Sequence, residues 1–146
     1  MKKFVAFSVA LLSILTITIL QGCSSSDDNN TLNEPQTLAV NHNNIERKWL
    51  TTYYTFAPDI NKAIKTAYQV SSVEISLKNG QYTLFDRYSE KSDKGTYTLD
   101  GGLLTLKSSI VDEVINFKIN KLTHTEIDLV VVDHKHLTSV ELIVIK

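Results

Sequence analysis

Val73-Glu74-Ile75-Ser76-Leu77-Lys78-Asn79-Gly80-Gln81-Tyr82 is the stretch that decides the fold class. Val73, Ile75 and Leu77 alternate with Glu74 and Ser76, and an apolar period of two belongs to a strand with one buried face. Asn79-Gly80 then interrupts the alternation. Both residues accept positive φ, so Asn-Gly between alternating runs is a strong short-range hairpin signal. The same grammar recurs downstream. Leu104 and Leu106 alternate with Leu103, Thr105 and Lys107, and Ile115, Phe117 and Ile119 alternate with Val114, Asn116 and Lys118. Gly80, Gly95, Gly101 and Gly102 all fall between such runs. Each is expected to serve a turn, which removes any need for a phosphate-binding loop.

Working outward, strands are expected near 45–56, 70–78, 81–88, 95–100, 103–109, 113–120, 125–133 and 138–145. Leu129-Val130-Val131-Val132 and Leu142-Ile143-Val144-Ile145 are apolar on both faces, which points to burial on both sides or an apolar seam. The pattern breaks from Pro58 to Tyr68, where Ile60, Ala63, Ile64 and Ala67 sit at helical spacing. That segment reads either as a short amphipathic helix near 59–68 or as an ordered loop over one end of the sheet. No long crossover separates the strands. The expected fold is therefore all-β, an antiparallel up-and-down meander whose closure into a barrel removes exposed edges, with a flat two-layer sandwich as the alternative.

The chain has 146 residues and a formal charge of −1, which fits one domain and carries too little positive charge for a nucleic-acid partner. Its first residues follow a secretory plan. Lys2 and Lys3 precede an uncharged run from Phe4 to Leu20, and Leu20-Gln21-Gly22-Cys23 matches the lipobox of bacterial lipoproteins. The expectation is a signal peptide over 1–22, cleavage after Gly22, and a Cys23 thiol carrying diacylglycerol, with palmitate among the acyl chains. An uncleaved anchor is the competing reading, with a run at the short end for a span. Each buried methylene contributes about 0.8 kcal/mol, so two or more chains hold a protein stably at a membrane. Residues 23–44 are polar and read as a flexible tether with a reach of roughly 25 Å. Ser24-Ser25-Ser26-Asp27-Asp28 resembles the export signal of surface lipoproteins, yet any soluble tether has this composition. The expected location is the cell envelope, anchored to the outer membrane, with the periplasmic and surface faces both open. Cys23 is the sole cysteine, so a lipidated chain has neither a disulfide nor a catalytic thiol.

Several of these segments together resemble a family. Arg47-Lys48-Trp49, the stretch from Val73 to Tyr82, the hairpin from Gly95 to Leu106 and the pair from Phe117 to Leu129 are similar to the lipocalin-like domain of small bacterial lipoproteins. Arg47 stands where that family usually has glycine. The resemblance implies a barrel over 45–146, with Trp49 plugging its base.

Candidate chemistry is sparse. His134-Lys135-His136 places two imidazoles at i and i+2 beside Asp133, but no third ligand at a defined spacing accompanies them, and the segment reads as a solvated turn. His42 and His124 are isolated. No Gly-x-Ser-x-Gly, His-Glu-x-x-His or Cys-x-x-Cys motif occurs. The expectation is a non-enzymatic protein with no catalytic residue, metal or cofactor. The aromatics are more informative: Tyr53, Tyr54, Phe56, Tyr68, Tyr82, Phe85, Tyr88 and Tyr97 concentrate in the first half of the domain. Tyr53, Tyr82, Phe85 and Tyr97 are the candidate ligand-lining set; as ordinary strand residues they would instead fill the barrel, whose interior admits side chains or one small ligand. Two functions follow: a membrane-anchored module binding a small hydrophobic ligand, or an interaction protein whose filled barrel docks to another envelope component.

Overall fold

The computed structural model describes residues 35–146. The leader, Cys23 and the first part of the tether lie outside the described residues. The order of elements is α1 (His42–Ile45), β1 (Lys48–Phe56), α2 (Lys62–Val70), β2 (Val73–Lys78), β3 (Gln81–Asp86), β4 (Lys91–Asp100), β5 (Leu103–Ser108), β6 (Val114–Leu122), β7 (Glu126–Val132) and β8 (Leu137–Ile145). Each strand pairs antiparallel with the next and β8 returns to β1, so the eight strands form a closed barrel. This is the all-β up-and-down meander expected from the alternation, and the sandwich is excluded.

Alternation decides what each face meets. Along β4, Ser92, Lys94, Thr96 and Thr98 are exposed, while Gly95 and Tyr97 are buried. The interior holds Leu77, Leu104, Leu106, Ile119, Leu129 and Leu142, all buried. An apolar interior is the inverse of a transmembrane barrel's polar one.

The Asn-Gly turn forms as the sequence requires, with φ 49° at Asn79 and 73° at Gly80 joining β2 to β3. Gly101 and Gly102 close the β4–β5 hairpin. Gly95 departs from expectation. It lies inside β4, not between strands, because the run Lys91-Ser92-Asp93-Lys94 pairs with β3 although it lacks apolar alternation. A Cβ at Gly95 would collide with the Lys107 carbonyl oxygen and stand 2.9 Å from Cε1 of Tyr82. Here glycine provides room for the neighbouring strand's carbonyl and for a ring, not for a turn.

Two further differences concern the N-terminal side. The folded part begins before residue 45: the Leu38 N–H donates to the Leu122 carbonyl at 2.7 Å, and the Leu38 side chain packs on the core. Asn41 caps α1 by accepting from the Asn44 N–H at 3.0 Å. Residues 38–45 therefore belong to the barrel's base and not to the tether. The second difference is that β1 pairs with β2 over only Lys48, Trp49 and Leu50, then continues to Phe56 paired with β8 alone. A bulge falls between Thr51 and Tyr53. The seam beside it is spanned by the connection 57–72, which contains α2; of the two readings of that segment, the helix is correct.

Candidate functional site

The barrel has a filled end and a hollow end. At the filled end Trp49 is 1% exposed and its indole N–H donates to the Ile45 carbonyl at 2.9 Å. Ile45 and Leu122 are likewise fully enclosed. Arg47 sits at the rim of this end, where its guanidinium donates to the His124 carbonyl at 2.7 Å. Thr123 is the one buried polar residue among the described residues; its hydroxyl oxygen accepts from the Thr125 and Glu126 N–H groups. The residual void among Trp49, Leu77, Leu104, Leu106 and their neighbours is only about 10 Å³.

At the hollow end a cavity of about 210 Å³ opens where β1 and β2 separate. Val73, Ile75, Leu84, Ile115, Phe117, Leu129, Val131, Leu137, Val140 and Leu142 form its apolar wall, and Thr51, Tyr54, Tyr68, Ser71, Glu113 and His134 bring polar atoms to it. A 150 Å³ apolar cavity is large enough to hold benzene in an engineered protein, whereas drug-sized ligands occupy roughly 300–1,000 Å³. The space fits a ring or a short chain.

A side-chain hydrogen bond bridges the seam where the backbone ladder stops. Thr51 Oγ1 accepts from the Val73 N–H at 2.9 Å, where a backbone carbonyl would serve in a continuous ladder, and also from the Tyr54 hydroxyl at 3.1 Å. Tyr54, Phe56 and Tyr68 form an aromatic cluster with centroids 5.8–6.3 Å apart, within the range of favourable ring pairs. No residue of α2 is buried, so Tyr68 is its principal attachment to the barrel. Burial pushes the Tyr54 and Tyr68 phenols above their ordinary value, aided at Tyr68 by the Glu113 carboxylate. His134 Nδ1 accepts from the backbone N–H groups of His136 and Leu137 at 3.1 and 3.0 Å, so the neutral ring carries its hydrogen on Nε2.

None of the four tyrosines and phenylalanines singled out as ligand-lining borders this cavity. Tyr53 is 59% exposed on the outer surface, because the extra residue in the β1 bulge reverses the strand's phase after Thr51 and turns Tyr54 and Phe56 inward instead. Phe85 is paired with Glu74 on the outer face. Tyr82 and Tyr97 point inward but fill space. The Tyr82 hydroxyl donates to Asp93 Oδ2 at 2.5 Å, and Ser108 donates to Oδ1 of the same carboxylate at 2.6 Å. Tyr97 lies toward the filled end and donates to Glu46 at 2.7 Å. Burial, reinforced by the carboxylate each phenol serves, pushes both Tyr82 and Tyr97 up to about 12. Burial penalises the Asp93 charge, but hydrogen bonds from Ser108, Tyr82 and the Lys94 backbone outweigh it and hold the carboxyl below its usual range.

His134 and His136 face each other at 6.1 Å between centroids, with Nδ1 of His134 already engaged by the backbone. Among the described residues no group of three or more His, Cys, Asp or Glu is arranged to hold a metal ion. The chain's first 34 residues, including the lipidation candidate Cys23, lie outside the described residues. Set against protein-family models, curated proteins and solved structures, the chain matches none.

Proposed function

We propose that this chain is a lipid-anchored, non-enzymatic binding protein of the cell envelope that holds a small hydrophobic molecule in the open end of a lipocalin-like barrel. One observation carries the reading: a 210 Å³ apolar cavity with a few convergent polar groups, in a barrel whose other end is packed to a void of 10 Å³. Barrel mouths are a common place for small-ligand sites, and the mixture of apolar wall and sparse polar atoms matches their chemistry. Attachment to the outer membrane through Cys23 rests on the lipobox Leu20-Gln21-Gly22-Cys23.

A second reading has its own support. Val70, Tyr88, Ile110 and Val111, on three different connections at the open end, are 44%, 70%, 58% and 51% exposed. Exposed apolar side chains around a mouth also suit contact with another envelope component. Native mass spectrometry of the mature protein purified from its own host separates the two. A retained small molecule supports the binding role; an empty barrel that co-purifies with a stoichiometric envelope protein supports docking.

A further inference from the structure

The cavity wall contains no lysine or arginine, and its one acidic member, Glu113, is exposed at the mouth, its carboxylate without a hydrogen-bond or ion-pair partner among the described residues. Lys135, exposed on the turn beside His134, is not part of the lining, and two other cations at this end are engaged by neighbours. Arg87 is paired with Glu74, and Lys65 stands over the Phe56 ring at 5.6 Å without lining the cavity. The neighbouring carboxylates on the same end reinforce the sign. Asp86 and Asp93 are both held ionised by hydrogen bonds from serine hydroxyls and backbone N–H groups.

From this charge pattern we propose that the cavity selects compact apolar ligands whose head group is an ammonium or a neutral hydroxyl, and rejects carboxylates such as fatty acids. The inference rests on the cavity being a ligand site. A carboxylate entering here loses water, meets no cation on the wall, and approaches Glu113. Burying a charge without a partner is strongly unfavourable. An ammonium meets the Glu113 carboxylate and the π faces of Tyr54 and Tyr68, both of which favour a cation. A neutral hydroxyl can accept from Nε2–H of His134 and donate to the Thr51, Ser71 or Tyr oxygens around the mouth.

The test uses the full chain in micelles and three probes of matched size: 2-phenylethylamine, 2-phenylethanol and phenylacetate. Methyl chemical shifts of Val73, Leu84, Val131 and Val140 report the cavity, and those of Leu103 and Val130 on the outer face report non-specific partitioning. All titrations are run at pH 8. The amine and alcohol are expected to saturate the cavity methyls, with phenylacetate weaker by about tenfold or more. Glu113→Gln should lower amine affinity by about twofold to fivefold and leave the alcohol unchanged. Phenylacetate binding as tightly as the alcohol overturns the selectivity while leaving the ligand site standing. An unchanged amine affinity in Glu113→Gln removes the assigned role of that carboxylate. Failure of all three probes to give saturable cavity shifts overturns the ligand site itself, and the selectivity with it.

Discussion

The two ends of one barrel, built from the same strands, solve opposite problems. At the base, Trp49, Leu77, Leu104, Leu106 and Ile127 leave about 10 Å³ unfilled; at the mouth, Val73, Leu84, Ile115, Val131 and Val140 leave about 210 Å³. The difference lies in side-chain size and in one backbone event. Where β1 and β2 stay paired, large side chains meet and pack. Where they part after Leu50, smaller aliphatic residues and tyrosines line a gap covered by a helix with no buried residue. Without a disulfide in reach, a small domain depends on its core. The base supplies that packing, which allows the mouth to stay hollow.

Four experiments break or sharpen this contrast. The largest effect is expected from Trp49→Ala, which removes the plug and one of the two donors to the Ile45 carbonyl; urea unfolding should show a loss of about 3–5 kcal/mol. A stability change below 1 kcal/mol would mean the base is not the barrel's anchor. Alkaline titration comes next. Tyr82 and Tyr97 sit at about 12 in the fold against about 10 unfolded, so the fold favours the protonated phenols. Their stabilisation is complete below pH ~10 and is lost as pH rises toward 12, on the order of 2 kcal/mol for each. Tyr97→Phe should flatten that loss, and an equally steep decline in the variant would assign it elsewhere.

The third and fourth are a matched pair. Ile127→Phe adds volume at the packed end, where Ile127 is 2% exposed, and should cost about 1–3 kcal/mol through overpacking. Val140→Phe adds similar volume beside the cavity and should change stability by less than about 1 kcal/mol, in either direction. Thermal melts of the two variants check the sign. Equal penalties at both ends would show that the mouth is as tightly packed as the base.

How much of this was legible in the sequence follows from which interactions are local. The hairpin at Asn79-Gly80 and the alternation in β2, β5 and β6 are written in adjacent residues, and the strands form where expected. The first half of β4 was not legible, since Asp93 faces inward in a polar run and its side-chain partners Tyr82 and Ser108 are 11 and 15 residues away. Tyr53 was misplaced for a similar reason. Its direction is set by a bulge against β8, a partner 88 residues downstream, and a one-residue slip reverses every later side chain. The true cavity residues Tyr54 and Tyr68 stood among the aromatics of the first half, but only the reversed phase distinguishes them. Leu38 was read as tether because its partner, the Leu122 carbonyl, lies at the far end of β6.

The claim that the hollow end is a ligand site is tested most directly by titrating 2-phenylethanol into the wild-type chain and the Val140→Phe variant, following the cavity methyls of Val73, Leu84 and Val131. Saturable shifts are expected in the wild type, and none in a variant that melts at nearly the same temperature. Identical saturation curves for the two chains, or no saturation in either, would contradict it.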